Sequence, residues 1–369
     1  MTRMAVQTLP ANSYYDPDVY ALERERIFFR SWFYVAREEQ IAGSARWITV
    51  DVAGESILLV RGRDDVLRAF YNVCRHRGTR LCEAAEGRAL SPIRCPYHAW
   101  GYADTGALVS TPNVEDGELD RSRLGLRAVR VETWLGFVFV TLSPDGPGLR
   151  DSLAAQYDAP LLYERFALDR LRVGRRTSAD VAANWKIVIG NYNECLHCPI
   201  VHPQLVRRIP AYRTGSLYEA DAPSGAVRLA EGESTLAGSS RSRFAPIPGM
   251  TEADDGLYYG STVLPNMFVD ITSREAVVTR IQPTGPTSCR LESEYLFLPE
   301  DLERPDFDAD EFVDFNETVN QQDIAVCETL QRGVRSRGFD HGVYPSKDEY
   351  VAAFERAYAE LMADPVTGA

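Results

Sequence analysis

Residues 72–81 read NVCRHRGTRL and residues 93–102 read IRCPYHAWGY. The first stretch holds a Cys-x-His pair, Cys74 and His76. The second holds a Cys-x-x-His pair, Cys95 and His98, which begins nineteen residues after His76. Each pair follows a short segment rich in β-branched and aromatic residues, so each is expected on a loop that follows a strand. Two Cys and two His on two loops can make a tetrahedral zinc site. Zinc patterns usually repeat one ligand type, as Cys-x2-Cys or His-x3-His, whereas each loop here brings one of each. That mixture suits a two-iron cluster with thiolates on one iron and imidazoles on the other, where the histidines raise the reduction potential. Structural zinc stands as the alternative.

Working outward, the chain has 369 residues, long for one compact domain and comfortable for two. It is 45% hydrophobic and 25% charged, the composition of a globular protein. No apolar run approaches the ~20 residues of a membrane span. The opening MTRMAVQTLPANSYYDPD lacks the apolar core of a secretory signal, so a cytoplasmic protein with no membrane attachment is expected. A formal net charge of −13 makes nucleic acid an unsuitable partner. Seven cysteines in a reducing compartment read as metal ligands or core residues, not as a disulfide framework. Four of the five histidines fall in two tight clusters.

Residues 16–32 predict a helix, with Asp16 as N-cap and Pro17 in its first turn. Between 46 and 142 the chain reads as β, with WITVDV, SILLVR, LRAFYNV and GFVFVTL separated by turn residues. The 150s and 160s read as helical, 171–183 as a strand, and 185–198 as a helix stopped by Pro199. Residues 213–256 are rich in Gly, Ser and Ala and predict long loops with weak strands, a candidate cover for a site. Strands return at 261–269, 276–282 and 289–298. An acidic loop at 299–310 and helices at 311–335 and 347–363 complete the chain. The expected class is α+β: a β-rich first domain followed by an α+β second domain.

The second cluster lies in NWKIVIGNYNECLHCPIVHPQL, residues 184–205. A zinc site there would use Cys195, His197, Cys198 and His202. On an ideal helix His197 is rotated about 200° from Cys195 and about 100° from Cys198, so one small ion cannot easily collect all three. Glu194 and His197 are an i, i+3 pair on one face. Pro199 ends the turn, and His202 can come round from a new segment. A Glu/His/His site is left, with the cysteines as small apolar side chains facing elsewhere. Two His and one carboxylate make the facial triad of oxygen-activating Fe(II) enzymes. A second candidate carboxylate is Asp323, which lies in an apolar helical stripe with Val319, Val326 and Leu330. A buried carboxylate is costly unless it binds metal or pairs, and an arginine partner is the alternative.

These motifs resemble those of the Rieske non-heme iron oxygenases, specifically their large (α, terminal oxygenase) subunit. NVCRHRGTRL and CPYHAW are close to that family's wording, although the eighteen residues between His76 and Cys95 make a slightly longer gap than usual. The family's run Asn-x-x-(Asp/Glu)-x-x-His-x4-His is matched by Asn191, Glu194, His197 and His202, and its late helical Asp by Asp323. The resemblance covers nearly the whole chain. It implies a helical segment at 1–39 packing on the catalytic domain and an all-β Rieske [2Fe–2S] domain at 40–148. At 149–369 it implies a catalytic domain with an antiparallel sheet flanked by helices, helix-grip-like. It implies that Cys74, His76, Cys95 and His98 hold the Rieske cluster, and that His197, His202 and Asp323 hold a mononuclear Fe(II). Glu194 and Asn191 are then catalytic-site residues, with Glu194 bridging an iron-ligand His to a Rieske His of a neighbouring subunit. In the family the two centres of one chain lie too far apart, so a homotrimer is expected. Cys82 is left over as a core or loop residue, and His341 as a surface or packing residue.

The sequence has no Gly-rich dinucleotide fingerprint and no further cysteine quartet. NAD(P)H is therefore expected to act only indirectly, through a separate flavin/iron–sulfur reductase with or without a ferredoxin. Arg75, Arg77, Arg80 and Arg94 around the first cluster suit docking of an acidic redox partner, or equally solvation and internal ion pairs. Glu194 stands where many ring-dihydroxylating members carry Asp. In this the chain resembles the branch attacking quaternary ammonium compounds such as choline, glycine betaine or carnitine. Tyr192, Tyr212, Tyr258, Tyr259 and Phe268 lie near the catalytic elements and could hold a methylammonium group or stack on an arene. The expected activity is monooxygenation of a small quaternary ammonium or N-methyl compound with O2, by hydroxylation or oxidative demethylation. Hydroxylation of an aromatic compound is the alternative. A Rieske electron carrier, which would need only the first cluster, or a zinc-stabilised binding module are the non-enzyme alternatives.

Overall fold

A computed structural model describes residues 6–88, 92–115, 117–219, 222, 225–237 and 242–363. The chain divides into two compact units, Phe28–Leu149 and the described residues before and after it.

The unit Phe28–Leu149 is built of antiparallel strands: β1 (Phe33–Arg37), β2 (Arg46–Val52), β3 (Glu55–Arg61), β4 (Leu67–Tyr71), β5 (Glu86–Arg88), β6 (Ile93–Arg94), β7 (Gly101–Tyr102), β8 (Leu108–Ser110), β9 (Ala128–Trp134) and β10 (Phe137–Thr141). Seven of them form one sheet in the order β1-β10-β9-β4-β3-β2-β5, and β6-β7-β8 form a small second sheet. Ile57, Leu58, Leu59 and Val60 in β3 are all buried, because both faces of that strand are covered. Leu58, Val60 and Phe70 share one core with Trp100, Tyr102, Cys74 and Cys95. The sheet core thus fixes the floor beneath the two Cys–His loops.

The other unit carries a six-stranded antiparallel sheet. Its strands are β11 (Arg172–Val181), β12 (Ala226–Arg228), β13 (Leu257–Val263), β14 (Met267–Ile271), β15 (Ala276–Gly285) and β16 (Ser288–Phe297), in the order β11-β16-β15-β14-β13-β12. Its helices include α1 (Pro17–Glu23), α2 (Trp185–Tyr192), α3 (Cys198–Val201), α4 (Pro203–Arg208), α5 (Asp310–Gly333) and α6 (Glu349–Met362). α2 packs against α5, α6 and β15. Among the described residues no helix is long and apolar enough to cross a membrane.

Several expected elements need correction. The helix over 16–32 is α1, capped by Asp16 as expected, and ends in one π-type turn at Arg24–Phe28. Phe33–Arg37 is instead a strand paired with β10, buried along its whole length, so the compact unit begins at residue 28 where the sequence placed a boundary at 39/40. The expected strand over 261–269 is two strands, β13 and β14, around a cis Leu264–Pro265 bond. Proline has no N–H for the ladder, so the chain turns there. The helix expected over 185–198 stops at Tyr192. The Asn193 side chain takes up the Ile189 carbonyl at 2.7 Å and the Thr262 hydroxyl at 3.1 Å, which ends the helix and leaves 194–197 as a turn. In 213–256, residues 220, 221, 223, 224 and 238–241 lie outside the described residues; the remainder adds the edge strand β12 and a short turn at Glu252–Asp254.

Candidate metal centres

The two Cys–His loops have matching backbones. Gly78 N–H donates to the Cys74 carbonyl and Ala99 N–H to the Cys95 carbonyl, each at 3.0 Å. Cys74 N–H reaches Thr79 O and Cys95 N–H reaches Trp100 O, each at 2.8 Å. Gly78 and Ala99 both hold φ in the left-handed region, at 79° and 58°, which lets each chain fold back over its cysteine. Tyr102 pins the first loop: its hydroxyl lies 3.3 Å from Cys74 Sγ and accepts from Arg75 N–H at 2.9 Å.

The four donors separate into a sulfur pair and a nitrogen pair. Cys74 and Cys95 are both buried, and burial raises the Cys74 thiol pKa, against the pull of Tyr102 and with a further push from Cys95. The His76 and His98 rings lie 4.7 Å apart, and His76 stacks on Trp100 at 4.6 Å. Nδ1 of His98 is buried and has no hydrogen-bond partner among the described residues. Desolvation, then the neighbouring His76 and Arg77, hold this imidazole below its ordinary pKa, in the neutral form that binds metal. The four donor atoms do not gather within 4.8 Å of one another, as the set at His197, His202 and Asp323 does. A single tetrahedral ion needs one focus; a bridged two-iron cluster needs two. The donors fit the cluster.

The second cluster forms at the turn after α2. Glu194 Oε1 meets His197 Nδ1 at 2.5 Å, while its Oε2 accepts from the backbone N–H of Leu196 at 2.5 Å and of His197 at 3.3 Å. His202 Nδ1 is held by Gln322 Oε1 at 2.7 Å. With both Nδ1 atoms engaged, both Nε2 atoms are left to face Asp323 Oδ1, at 3.2 Å from His197 and 2.8 Å from His202. A carboxylate oxygen facing two ring nitrogens needs a cation among them, a proton or a metal. Burial disfavours charge on His197, but its bonds to Asp323 and Glu194 outweigh this and raise its pKa to about 9. Burial likewise opposes the Asp323 carboxylate, and the two histidines outweigh it and lower its pKa. A divalent ion would displace the shared proton. Two imidazoles and one carboxylate with supported outer nitrogens fit an Fe(II) triad.

Among the two carboxylates weighed from sequence, Asp323 thus lies between the imidazoles and Glu194 supports one of them from outside. Asn191 Nδ2 comes to 3.5 Å from His197 Nε2. Gln322, which sequence reasoning passed over, was signalled only by its place beside Asp323. Cys195 and Cys198 are buried in an apolar cluster with Val206, Ile209 and Tyr212, as small apolar side chains would be, but they are not separate: the structure joins them in a disulfide across the turn that carries His197. Three residues of separation with the helix interrupted bring their Cα atoms to 4.9 Å. Cys82 is buried and clamped by Asn72, whose side chain meets its N–H at 3.0 Å and its carbonyl at 2.7 Å. His341 lies at the surface against Gln7 and Asp340.

A cavity of about 110 Å³ opens beside the triad, lined in part by Asn191, Tyr192, Tyr212, Tyr258, Phe315 and Asp323. Three of the five aromatic residues singled out from sequence reach it. Phe268 stands behind Tyr192, stacked on it at 3.8 Å. Tyr259 alternates to the other face of β13 and bonds Asp254 and Arg165. Sequence reasoning missed Tyr218 and Asp270, which also line the cavity. Asp270 lies within a run that otherwise reads as an ordinary strand.

Each candidate metal centre lies within a stretch that matches a known family. Residues 31–131 match the Rieske [2Fe-2S] domain, and residues 168–364 match the ring hydroxylating alpha subunit (catalytic domain). The chain is 31% identical over 335 residues to the carnitine monooxygenase oxygenase subunit of Escherichia coli K12, covering 90% of this chain and 85% of that protein. It is 30% identical over 390 residues to the glycine betaine monooxygenase oxygenase subunit of Chromohalobacter salexigens, covering 98% and 87%. Among solved structures it is similar to a quaternary ammonium Rieske monooxygenase studied for carnitine oxidation and inter-subunit electron transfer. That likeness has a TM-score of 0.79 and 26% identity, over 97% of this chain and 96% of that one.

Proposed function

The chain belongs to the Rieske non-heme iron oxygenases, with their ring-hydroxylating α-subunit catalytic domain, and from that premise we propose that it monooxygenates a small quaternary ammonium or N-methyl compound. The observation that carries this reading is the cavity beside the triad. It is small against the ~300–1,000 Å³ of sites for drug-sized ligands. Tyr192, Tyr212, Tyr218 and Tyr258 offer it aromatic faces, and Asp270 offers a carboxylate. Such a lining suits a methylated cation. The names of the similar proteins point the same way.

In this reading Cys74 and Cys95 hold one iron of the Rieske cluster and His76 and His98 the other, while His197, His202 and Asp323 hold the mononuclear Fe(II). The bound metals supply electron storage and O2 activation. The residues around them orient and insulate: Glu194 and Gln322 fix which ring nitrogen of each histidine points inward, and the tyrosines place the methyl groups. Electrons come from NAD(P)H by way of a separate flavin/iron–sulfur reductase. Assembly as a homotrimer fits the surface beside Glu194, where Leu196 and Ile200 are exposed, Ile200 by 86%.

Glu194 then links His197 to a Rieske histidine of the next subunit. Glu194→Gln should leave mononuclear iron content near normal and slow oxidation of the reduced cluster by roughly 10–100-fold, the usual cost of altering a residue behind a metal ligand. Loss of the mononuclear iron in that variant would make Glu194 a ligand and overturn the assignment. The substrate reading is tested by one turnover of chemically reduced, iron-replete protein with O2 and a panel of choline, betaines, carnitine and aromatic acids. Formaldehyde or a product heavier by one oxygen from a methylammonium compound is the expected result. Turnover of aromatic acids alone would sink the reading.

A further inference from the structure

Asp270 lies on β14, across from Gly260 on β13, and its side chain is on the cavity face of the sheet. Tyr192 donates to Asp270 Oδ1 at 2.5 Å, and Tyr258 donates to the same oxygen. Oδ2 receives no hydrogen bond from a described residue, and no described Arg, Lys or His pairs with the group. Gly260 keeps this corner open: a Cβ there would stand 3.1 Å from the Tyr192 hydroxyl, 3.2 Å from Asp270 Oδ1 and 3.3 Å from the Tyr258 hydroxyl. A half-buried carboxylate on a cavity wall, with no cationic partner among the described residues, carries a cost that a ligand's positive charge would offset.

The remainder of the lining carries the same message. Its other charged groups are Glu194 and the triad itself, and Asn191, Asn316 and Asn320 supply the neutral polar contacts. Among the described residues that line it there is no Lys or Arg. Away from the triad, a ligand's own carboxylate would meet acids, amides and phenols, and no side-chain cation among the described lining residues to offset its desolvation.

We propose that Asp270 is the cation-binding carboxylate of this cavity, and that the chain selects a methylammonium cation whose remainder is uncharged, a choline-like alcohol or simple N-methyl amine, over a zwitterion such as a betaine. The inference rests on the proposed function and narrows it, and it parts from the zwitterions named for the similar proteins. Tyr192 and Tyr258 brace Oδ1, so that Oδ2 is left for the ammonium methyl groups. Tyr212 and Tyr218 supply the aromatic faces. Burial lifts the free Asp270 carboxyl to about 6, against the two tyrosine bonds and with a small push from Asp158, so a bound cation replaces a missing counter-charge.

The test is calorimetric binding to the iron-replete protein without O2, at about pH 8, where a carboxylate of pKa about 6 is ionised. The ligands are choline, the uncharged alcohol in which carbon replaces choline's nitrogen, glycine betaine and carnitine. Wild type should bind choline at least roughly thirtyfold more tightly than the uncharged alcohol, the scale expected for a desolvated charge pair, and more tightly than either zwitterion. Asp270→Asn, which keeps an oxygen for both tyrosines, should lose that thirtyfold for choline and leave the uncharged alcohol unchanged. A wild-type preference for glycine betaine or carnitine would overturn the inference and leave the proposed function standing. So would a variant whose choline-to-alcohol ratio matches wild type. If no methylammonium compound binds, both fall. Should Asp270→Asn fold poorly, the wild-type ratio still decides: a value near one overturns the inference.

Discussion

Asp323→Ala protein is expected to purify with the visible absorption of its [2Fe–2S] cluster intact, without mononuclear iron, and with product formation reduced by more than about a hundredfold. Changes behind a metal ligand already cost 10–100-fold, and this one removes a ligand. The structure gives the reason for the selectivity. Asp323 Oδ1 is the atom that both imidazoles face, at 3.2 and 2.8 Å. Without it, His197 and His202 remain held by Glu194 and Gln322 but present only two donors. The Cys–His loops are held by their own hydrogen bonds, with Gly78, Thr79, Ala99, Trp100 and Tyr102, so the cluster should assemble. Iron analysis set against cluster absorbance is the measurement. A variant that keeps its mononuclear iron would mean that another group, Glu194 foremost, completes the site.

The second large effect is on stability. Lys186 and Glu23 form an ion pair at 2.5 Å with both side chains fully buried. Glu23 also accepts from Trp185 Nε1 at 2.8 Å and from the Tyr358 hydroxyl at 2.9 Å. The carboxylate of α1 thereby ties the first turn of α2 to α6, directly upstream of the turn that bears Glu194 and His197. Burial lowers the Lys186 pKa, and the Glu23 charge opposes that shift. Lys186→Met leaves the Glu23 carboxylate buried without its counter-charge and should cost about 3–5 kcal/mol. In a unit of this size that lowers Tm by roughly 10 °C. Pairing it with Glu23→Gln should recover much of the loss, because the uncompensated charge is then gone. Denaturant unfolding of the single and double variants reads this directly. A single variant as stable as wild type would show that the pair is not the fastening of α1, α2 and α6.

The ligand chemistry was legible in the sequence because it is local. Cys-x-His and Cys-x-x-His each place two donors within one loop, and the structure shows the two loops folding alike around Gly78 and Ala99. Glu194 and His197 are likewise near neighbours, and their contact follows from a spacing of three residues. Local reading failed where a single side chain overrode a period. The pattern over 185–198 continues as a helix until Asn193 binds Ile189 and Thr262, and a strand-like run over 261–269 turns at Pro265.

Taken alone, then, the sequence determined which side chains could bind metal, and that there were two groups of them. Those properties belong to residues a few positions apart. Residue chemistry alone left Glu194 and Asp323 both open, and only the family resemblance pointed to Asp323; its approach to the imidazoles, and the lining of the cavity beside them, are made by tertiary structure. Asp323 comes to His202 across 121 residues, and Tyr192 to Asp270 across 78. Strand register decides the rest. Because successive residues point to opposite faces, Tyr258 enters the cavity and Tyr259 leaves it, and no pattern in the chain says which face will hold the iron.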